Sequence, residues 1–171
     1  MKALIASDIH GEIKYLNKIE EIITKEKIDK IILLGDLLKY NSNENKDEII
    51  KKLNKYKDKI IAVRGNCDSK LNDDLYEFDI NNDIKEIYLD ENKFIITHGH
   101  LNSWFLDIIK DNKVLQGHTH VYNLEGQYIN PGSVGLPREN KEHTCIIYEN
   151  DELKLIDLDS FETIKLKKLK Q

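Results

Sequence analysis

The chain has 171 residues and a net charge of -5, with 26 lysines and arginines against 31 aspartates and glutamates. This length predicts one domain, residues 1–171, whose core needs no disulfide framework, and only Cys67 and Cys145 are present. The scattered charge indicates no dedicated nucleic-acid surface, and no apolar run is long enough for a membrane span or a signal peptide. We therefore expect a cytoplasmic protein, and the sequence leaves open whether it forms a homo-oligomer.

The first half of the chain predicts strands that alternate with helices. Apolar runs predict strands at residues 2–7, 31–34 and 59–63. Apolar residues at helical spacing predict a helix over residues 12–27 and a second helix with Ile49, Ile50, Leu53 and Tyr56 inward. Two βαβ units favour parallel pairing, so the segments after the three strands share the carboxyl edge of one sheet, where such sheets bind ligands.

The second half predicts shorter strands. These are expected at residues 76–80, 85–89, 93–97 and 113–115, with a turn at 90–92. A short helix is expected around Trp104, Phe105, Ile108 and Ile109. Residues 143–148 and 153–158 predict a hairpin around Asn150-Asp151. The fold class is therefore α/β (α+β), with two facing mixed sheets and helices outside.

Five short motifs place polar side chains at or just beyond predicted strand ends. They are Asp8-Ile9-His10, Gly35-Asp36, Gly65-Asn66-Cys67-Asp68, His98-Gly99-His100 and Gly117-His118-Thr119-His120. The predicted metal ligands in them are Asp8, His10, Asp36, Asn66, His98, His118 and His120. Oxygen and nitrogen donors without a thiolate favour Mn²⁺, Fe²⁺ or Zn²⁺ over a structural cysteine-rich zinc site. Seven ligands suit two ions if one carboxylate bridges them, and Asp36 is the predicted bridge.

A pair of ions points to phosphoester chemistry. Two divalent ions about 3.5–4 Å apart can activate a bridging hydroxide and stabilise both oxygens of an in-line displacement. The positive charge that remains would attract a phosphoryl anion. We therefore predict that the chain hydrolyses phosphoester bonds.

The five motifs, in this order, resemble those of the calcineurin-like metallophosphoesterase superfamily. The pieces Asn130-Pro131-Gly132-Ser133 and Pro137-Arg138 further resemble its small bacterial and archaeal phosphodiesterase subgroup. The resemblance implies a four-layer αββα sandwich and two divalent ions, with Mn²⁺ expected and Ni²⁺, Fe²⁺, Zn²⁺ or Mg²⁺ as alternatives. It also implies a binuclear metal-dependent phosphodiesterase that acts on a small phosphodiester, with a phosphomonoesterase as an alternative. By position it implies that one ion is held by Asp8, His10, Asp36 and His120, and the other by Asp36, Asn66, His98 and His118.

One position departs from the family pattern. Many members carry histidine after the Gly-Asn pair, where it assists the leaving group, and this chain carries Cys67. A thiol that titrates near about 8.5 is a poor acid at neutral pH. The proton is then left to His100, to water or to no group, and we expect activity to be best on esters with good leaving groups.

The remaining assignments concern residues around the predicted ligands. Asn66, Asp68 and His100 are the predicted catalytic residues, with Asp68 expected to orient a ligand imidazole. Arg138 and Cys67 are the predicted substrate contacts, although a surface ion pair is an equal alternative for Arg138. His143 and Cys145 are predicted to be structural. A non-catalytic scaffold, such as the retromer subunit with this fold, is the competing function, and the complete set of seven ligands argues against it.

Overall fold

The computed structural model describes residues 1–100, 109–110 and 112–169, which form two mixed β-sheets. The strands are β1 Lys2–Ala6, β2 Lys30–Leu33, β3 Ile60–Ala62, β4 Ile84–Leu89, β5 Asn92–Thr97, β6 Lys113–Leu115, β7 Tyr128–Ile129, β8 Thr144–Glu149, β9 Glu152–Asp157 and β10 Thr163–Lys168. In the described chain one sheet has the order β10-β9-β8-β1-β2-β3 and the other β4-β5-β6-β7. The pairs β1–β2, β2–β3, β5–β6 and β6–β7 are parallel, as the crossover connections require.

Two helices cover the outer face of the larger sheet. They are α1 Ile13–Lys25 and α2 Lys46–Asn54. Helix α1 buries Leu16, Ile19 and Ile23, whose spacing places them on one stripe against the sheet. Each such side chain contributes about 1.5–3 kcal/mol through burial. The helical periodicity predicted both helices. Helix α1 begins one residue later and ends two residues earlier than expected, and Tyr56, which was expected on the second helix, lies beyond its last residue.

A second apolar layer separates the two sheets. It contains Ile5 and Ile32 from the larger sheet and Phe94, Ile96 and Leu115 from the smaller one, all fully buried. On the far side of the smaller sheet, Ile109 packs against Ile95 and Val114. The two facing sheets with helices outside confirm the predicted fold class. The predicted helix residues Trp104, Phe105 and Ile108 lie outside the described residues.

One predicted strand was wrong, and one strand was missed. Residues 76–80 form no strand, and the Glu77 N–H donates to Oδ1 of Asn54 at 3.0 Å instead of to a neighbouring strand. Tyr76 and Ile80 are nevertheless buried in the core beneath the helices, which explains the alternating pattern. Strand β10 was missed, although Ile164 and Leu166 alternate with lysines there as expected of an edge strand.

Residues 121–129 contain little strand. Only β7 and an isolated bridge between Asn123 and Asn130 form in this described stretch. The turn at Asn150-Asp151 has the predicted form, with positive φ angles of 50° and 59°. No helix within the described ranges is both long and apolar enough to cross a membrane.

Candidate metal centre

Backbone hydrogen bonds tie together the loops that carry the five motifs. The Asp8 N–H donates to the Gly35 carbonyl at 3.1 Å, and the His10 N–H donates to the Asp36 carbonyl at 3.0 Å. From the other sheet, the His118 N–H donates to Oδ2 of Asp8 at 3.1 Å. Parallel strands β1, β2 and β3 end at one edge, and these bonds join that edge to the end of β6. The motifs therefore meet at one point between the sheets.

Most of the predicted ligands have a strained backbone. Five of the seven adopt positive φ angles, namely Asp8 (56°), His10 (48°), Asp36 (55°), His118 (68°) and His120 (61°). Residues with a Cβ atom rarely adopt this left-handed conformation, and it persists only where the surrounding structure imposes it. The loops therefore hold these side chains in one orientation at a cost in stability, which is typical of functional sites.

A first group of donors consists of Asp8, His10 and His120, whose donor atoms lie within 4.8 Å of one another. Nε2 of His120 lies 3.2 Å from Oδ1 of Asp8 and 3.3 Å from Nε2 of His10. Two ligand atoms that share a tetrahedral ion at about 2.1 Å are about 3.4 Å apart. The spacing of this group therefore fits a common ion.

A second group surrounds Asp36. Nε2 of His98 lies 3.3 Å from Oδ2 of Asp36 and 3.0 Å from Oδ1 of Asn66. Asp8, Asp36 and His98 also form a compact donor group. His118 belongs to none of the compact groups of described residues, but its ring packs edge-on against His98 with centroids 5.1 Å apart. The structure thus brings all seven predicted ligands to one centre, with His118 at its margin.

The environment of one buried oxygen atom, Oδ1 of Asp8, indicates whether these residues fit a metal ion. Oδ1 of Asp8 is inaccessible to solvent and accepts no hydrogen bond, although two imidazoles lie 3.2 and 3.7 Å from it. A buried acceptor without a partner is costly. Its position beside His10 and His120 is explained if all three point at a shared cation. The donors therefore fit a metal ion.

Backbone carbonyls fix two of the imidazoles. Nδ1 of His98 lies 2.7 Å from the Leu34 carbonyl oxygen, and Nδ1 of His120 contacts the Leu136 carbonyl oxygen. A carbonyl only accepts, so each Nδ1 carries a proton and each Nε2 faces the centre. This arrangement prepares Nε2 to bind a metal. No sequence pattern marks the contribution of Leu34 or Leu136, because carbonyls are present at every residue.

The charges of the centre stabilise one another. Burial alone would raise the pKa of Asp8, but the imidazoles of His10 and His120 lower it well below its usual range. Burial would likewise raise the pKa of Asp36, but the imidazole of His98 outweighs this effect, and the pKa is lowered. Asp8 raises the pKa of His120, and Asp36 raises that of His98 against the effect of burial. Two carboxylates are therefore held ionised where cations would bind.

Asp68 has a different role from the one predicted. Its carboxylate accepts N–H donors from Asp36, Leu37 and Gly65 at 2.8, 2.9 and 2.9 Å. It contacts no imidazole among the described residues. Asp68 thus holds the Asp36 loop against the Gly65 loop, and the prediction that it orients a ligand imidazole was wrong.

The centre opens into a cleft of about 290 Å³, here called the metal cleft. Five predicted ligands line it, namely His10, Asp36, Asn66, His118 and His120. Arg138 and Cys67 also line it, and beside them lie Lys39 and Tyr40, which the sequence motifs did not single out. Sγ of Cys67 forms a compact group with donor atoms of His10 and Asp36. Burial and Asp36 raise the pKa of this thiol to about 12.

The segment 130–136 supports the centre. The buried Asn130 donates through Nδ2 to the Gly117 carbonyl at 2.8 Å, and the Ser133 hydroxyl donates to the Asp8 carbonyl at 2.9 Å. The sequence pattern of these residues indicates first of all a turn, and the structure shows that they also position the His118 and Asp8 loops. His143 and Cys145 are structural, as predicted: His143 stacks on Tyr15 at 3.4 Å between centroids, and Cys145 is fully buried.

His100 lies half-buried at the margin of the centre. Its ring centroid is 5.3 Å from that of His98 and 6.1 Å from that of His118. Burial and His98 lower its pKa, and its buried Nδ1 has no hydrogen-bond partner. Its position near the ligands keeps it a candidate proton donor.

Comparisons with known proteins agree with this centre. The profile of the calcineurin-like phosphoesterase superfamily domain matches residues 1–152. Phosphodiesterase YfcE of Escherichia coli strain K12 is 32% identical over 171 residues, which cover 93% of each chain. Phosphodiesterase MJ0936 of Methanocaldococcus jannaschii is 32% identical over 87% of this chain and 100% of its own.

A solved structure gives the same result at the level of the fold. The structure of YfcE, a phosphoesterase from E. coli, superposes with a TM-score of 0.86 at 28% identity, covering 99% of this chain and 100% of that one. The family inferred from the five motifs is thereby confirmed. The chain belongs to the calcineurin-like phosphoesterase superfamily.

Proposed function

We propose that the chain, as one domain over residues 1–171, is a binuclear metal-dependent phosphodiesterase. The observation that carries this proposal is the position of Asp36. Its Oδ2 atom lies 3.3 Å from Nε2 of His98 and 3.6 Å from Nε2 of His10, and these imidazoles belong to different donor groups. Asp36 is therefore the carboxylate through which two ions would share a ligand. The names of YfcE and MJ0936 support the phosphodiester as the substrate class.

The centre has residues for two ions. Asp8, His10, Asp36 and His120 would hold one ion, and Asp36, Asn66, His98 and His118 would hold the other. When bound, two divalent ions supply Lewis-acid stabilisation of phosphoryl oxygens and lower the pKa of water. The mixed oxygen and nitrogen donors favour Mn²⁺, Fe²⁺ or Zn²⁺ over a structural cysteine-rich zinc site. The family resemblance makes Mn²⁺ the expected ion, with Ni²⁺ and Mg²⁺ as further alternatives.

The side chains of the metal cleft would position the substrate. Arg138 lines this cleft and supplies positive charge for the phosphoryl oxygens. Burial and His98 lower the pKa of His100, so its imidazole is mainly neutral at pH 7 and is a weak proton source for a leaving alkoxide. The Cys67 thiol is also a poor donor, since its pKa is raised to about 12. Esters with good leaving groups are therefore the preferred substrates.

Two further properties belong to this proposal. We expect the enzyme in the cytoplasm, because Cys67 and Cys145 are free thiols. A homo-oligomer stays a prediction.

The decisive experiment is hydrolysis of bis(p-nitrophenyl) phosphate by protein that has been stripped of metal and reloaded with Mn²⁺. We expect turnover that requires metal and that is lost in Asp36→Ala and His98→Ala. Asp58→Ala is the matched control, because Asp58 is exposed on a surface turn. Equal turnover in Asp36→Ala and the control would refute the proposal, and metal binding without any turnover would favour the scaffold function.

A further inference from the structure

The metal cleft continues into a second pocket of about 390 Å³, here called the side pocket. The two spaces share four lining residues, Lys39, Tyr40, Asn66 and Cys67. Because the same side chains line both, a ligand held at the metal ligands can extend directly into the side pocket.

Two exposed apolar side chains line the side pocket from different loops. Leu71 is 91% exposed and Tyr40 is 64% exposed, which are the highest values for large apolar side chains in the described part of the chain. A single exposed apolar residue is ordinary, but two that line one pocket beside a reactive centre form an apolar surface that a ligand can cover. The surface suits a flat ring, since Tyr40 offers an aromatic face.

Local hydrogen bonds shape both walls in advance. Nδ2 of Asn45 donates to the Gly11 carbonyl at 3.1 Å, which anchors the loop of Tyr40 to the first metal-binding motif. On the other wall, the hydroxyl of Ser69 accepts the Leu71 N–H at 3.3 Å. The pocket therefore requires little reorganisation to accept a ligand, which favours affinity.

The polar lining suits hydrogen bonds better than ion pairs. Asn41, Ser42, Asn43 and Asn72 supply amide and hydroxyl groups. The charged groups are engaged elsewhere, because the Lys39 amine pairs with Glu44 and the Asp68 carboxylate accepts backbone N–H groups. A ring with hydrogen-bonding edges fits this lining.

We propose that the side pocket binds a ring-bearing organic substituent of the phosphoester substrate, with Tyr40 and Leu71 as its specificity-determining residues. This inference rests on the proposed function, since the metal cleft must hold the phosphoryl group. It predicts that the enzyme distinguishes aryl or nucleoside-like esters from small alkyl esters through binding at this pocket.

The test uses two phosphonates that the enzyme cannot hydrolyse by P–O cleavage, phenylphosphonate and methylphosphonate, in calorimetric titrations of the Mn²⁺-loaded protein. We expect the wild type to bind phenylphosphonate about tenfold more tightly than methylphosphonate, as one stacked ring would give. Leu71→Ala, at a residue that lines only the side pocket, should remove most of this preference and leave the affinity for methylphosphonate unchanged. Tyr40→Ala should also remove most of the preference, by lowering the affinity for phenylphosphonate more than that for methylphosphonate. Tyr88→Ala is the control, because Tyr88 is also exposed but lies on strand β4, outside the residues that line either space.

The outcomes separate the two proposals. The proposal for the side pocket is refuted by any of three results: a preference for the ring that persists in both variants, no such preference in the wild type, or no binding of either phosphonate. If the ring preference depends on Tyr40 and Leu71 but no diester is hydrolysed, the binding role of the side pocket is supported and the phosphodiesterase proposal is refuted. If diesters are hydrolysed without a ring preference, the phosphodiesterase proposal is supported and the binding role of the side pocket is refuted.

Discussion

Oδ2 of Asp36 and Nε2 of His98 lie 3.3 Å apart, although the two residues follow strands of different sheets. The other oxygen of the same carboxylate accepts the Cys67 N–H at 2.8 Å. One side chain thus joins the two sheets and organises the loop after β3. The imidazoles of His10 and His98 lie on either side of this carboxylate, so the charged groups of the centre stabilise one another.

The first prediction concerns the number of ions. If Asp36 is shared, Asp36→Ala should bind essentially no metal, whereas His120→Ala and Asn66→Ala should each lose one ion and keep the other. The wild type should hold about two ions per chain when reloaded with Mn²⁺. Metal analysis of desalted protein by mass spectrometry checks this, with Asp58→Ala as the control. One ion retained by Asp36→Ala would show that the carboxylate belongs to a single site.

The second prediction concerns Gly65, which makes a close approach to Asp36. A Cβ atom at Gly65 would lie 2.1 Å from Oδ1 and 2.3 Å from the backbone nitrogen of Asp36. Gly65→Ala should therefore displace the Asp36 carboxylate, lowering the free energy of unfolding by about 1–3 kcal/mol and metal affinity by about tenfold or more. Denaturant titration and metal titration measure the two effects.

Gly126→Ala is the matched control for Gly65→Ala. Gly126 has a φ of +64°, and a Cβ atom there meets nothing within 4 Å. The control should lose about 1–2 kcal/mol through its left-handed backbone and keep full metal affinity. Equal metal affinity in the two variants would mean that the Asp36 loop absorbs the clash.

The sequence predicted which side chains meet at the centre better than it predicted their surroundings. Asp8, Asp36 and His98 follow apolar runs, and a buried parallel strand that ends at a polar residue is a strong local signal. Asp68 was misassigned because its partners are the backbone N–H groups of other loops, and no side-chain pattern marks such bonds. Strand β10 pairs only at the edge of the sheet, so its burial pattern is weak.

The third prediction concerns pH in the metal-free protein. Asp36 raises the pKa of His98 above the ordinary value of 6.5, so this ion pair stabilises the fold below about pH 6.5, and the contribution is lost as the pH rises through the higher pKa of the folded state. Removing the carboxylate with Asp36→Asn should therefore cost more stability at pH 6 than at pH 9. Thermal unfolding with a chelator present measures the stability difference between wild type and variant at each pH. A difference that does not change between these pH values would contradict the ion pair.

The same groups predict the opposite trend once metal is added. A ligand imidazole must be neutral to bind metal, so protons compete with the ion below the pKa of His98 and His120. The melting temperature of Mn²⁺-loaded wild type should rise from pH 6 to pH 8, while that of the chelated protein does not rise in parallel. Parallel curves would argue against imidazole ligands at these positions.

The fourth prediction concerns Cys67, which stands where many family members carry a histidine. Its side chain lines the metal cleft, and its pKa of about 12 keeps the thiol protonated and slow to release its proton at pH 7. Cys67→Ala should therefore leave the ratio of rates on bis(p-nitrophenyl) phosphate and diphenyl phosphate unchanged, since the second ester has the poorer leaving group. Cys67→His should accelerate diphenyl phosphate by about tenfold or more, because general acids contribute about 10²–10⁴-fold when well placed. If Cys67→Ala instead slows diphenyl phosphate selectively, the thiol itself assists the leaving group and His100 is not the sole proton donor.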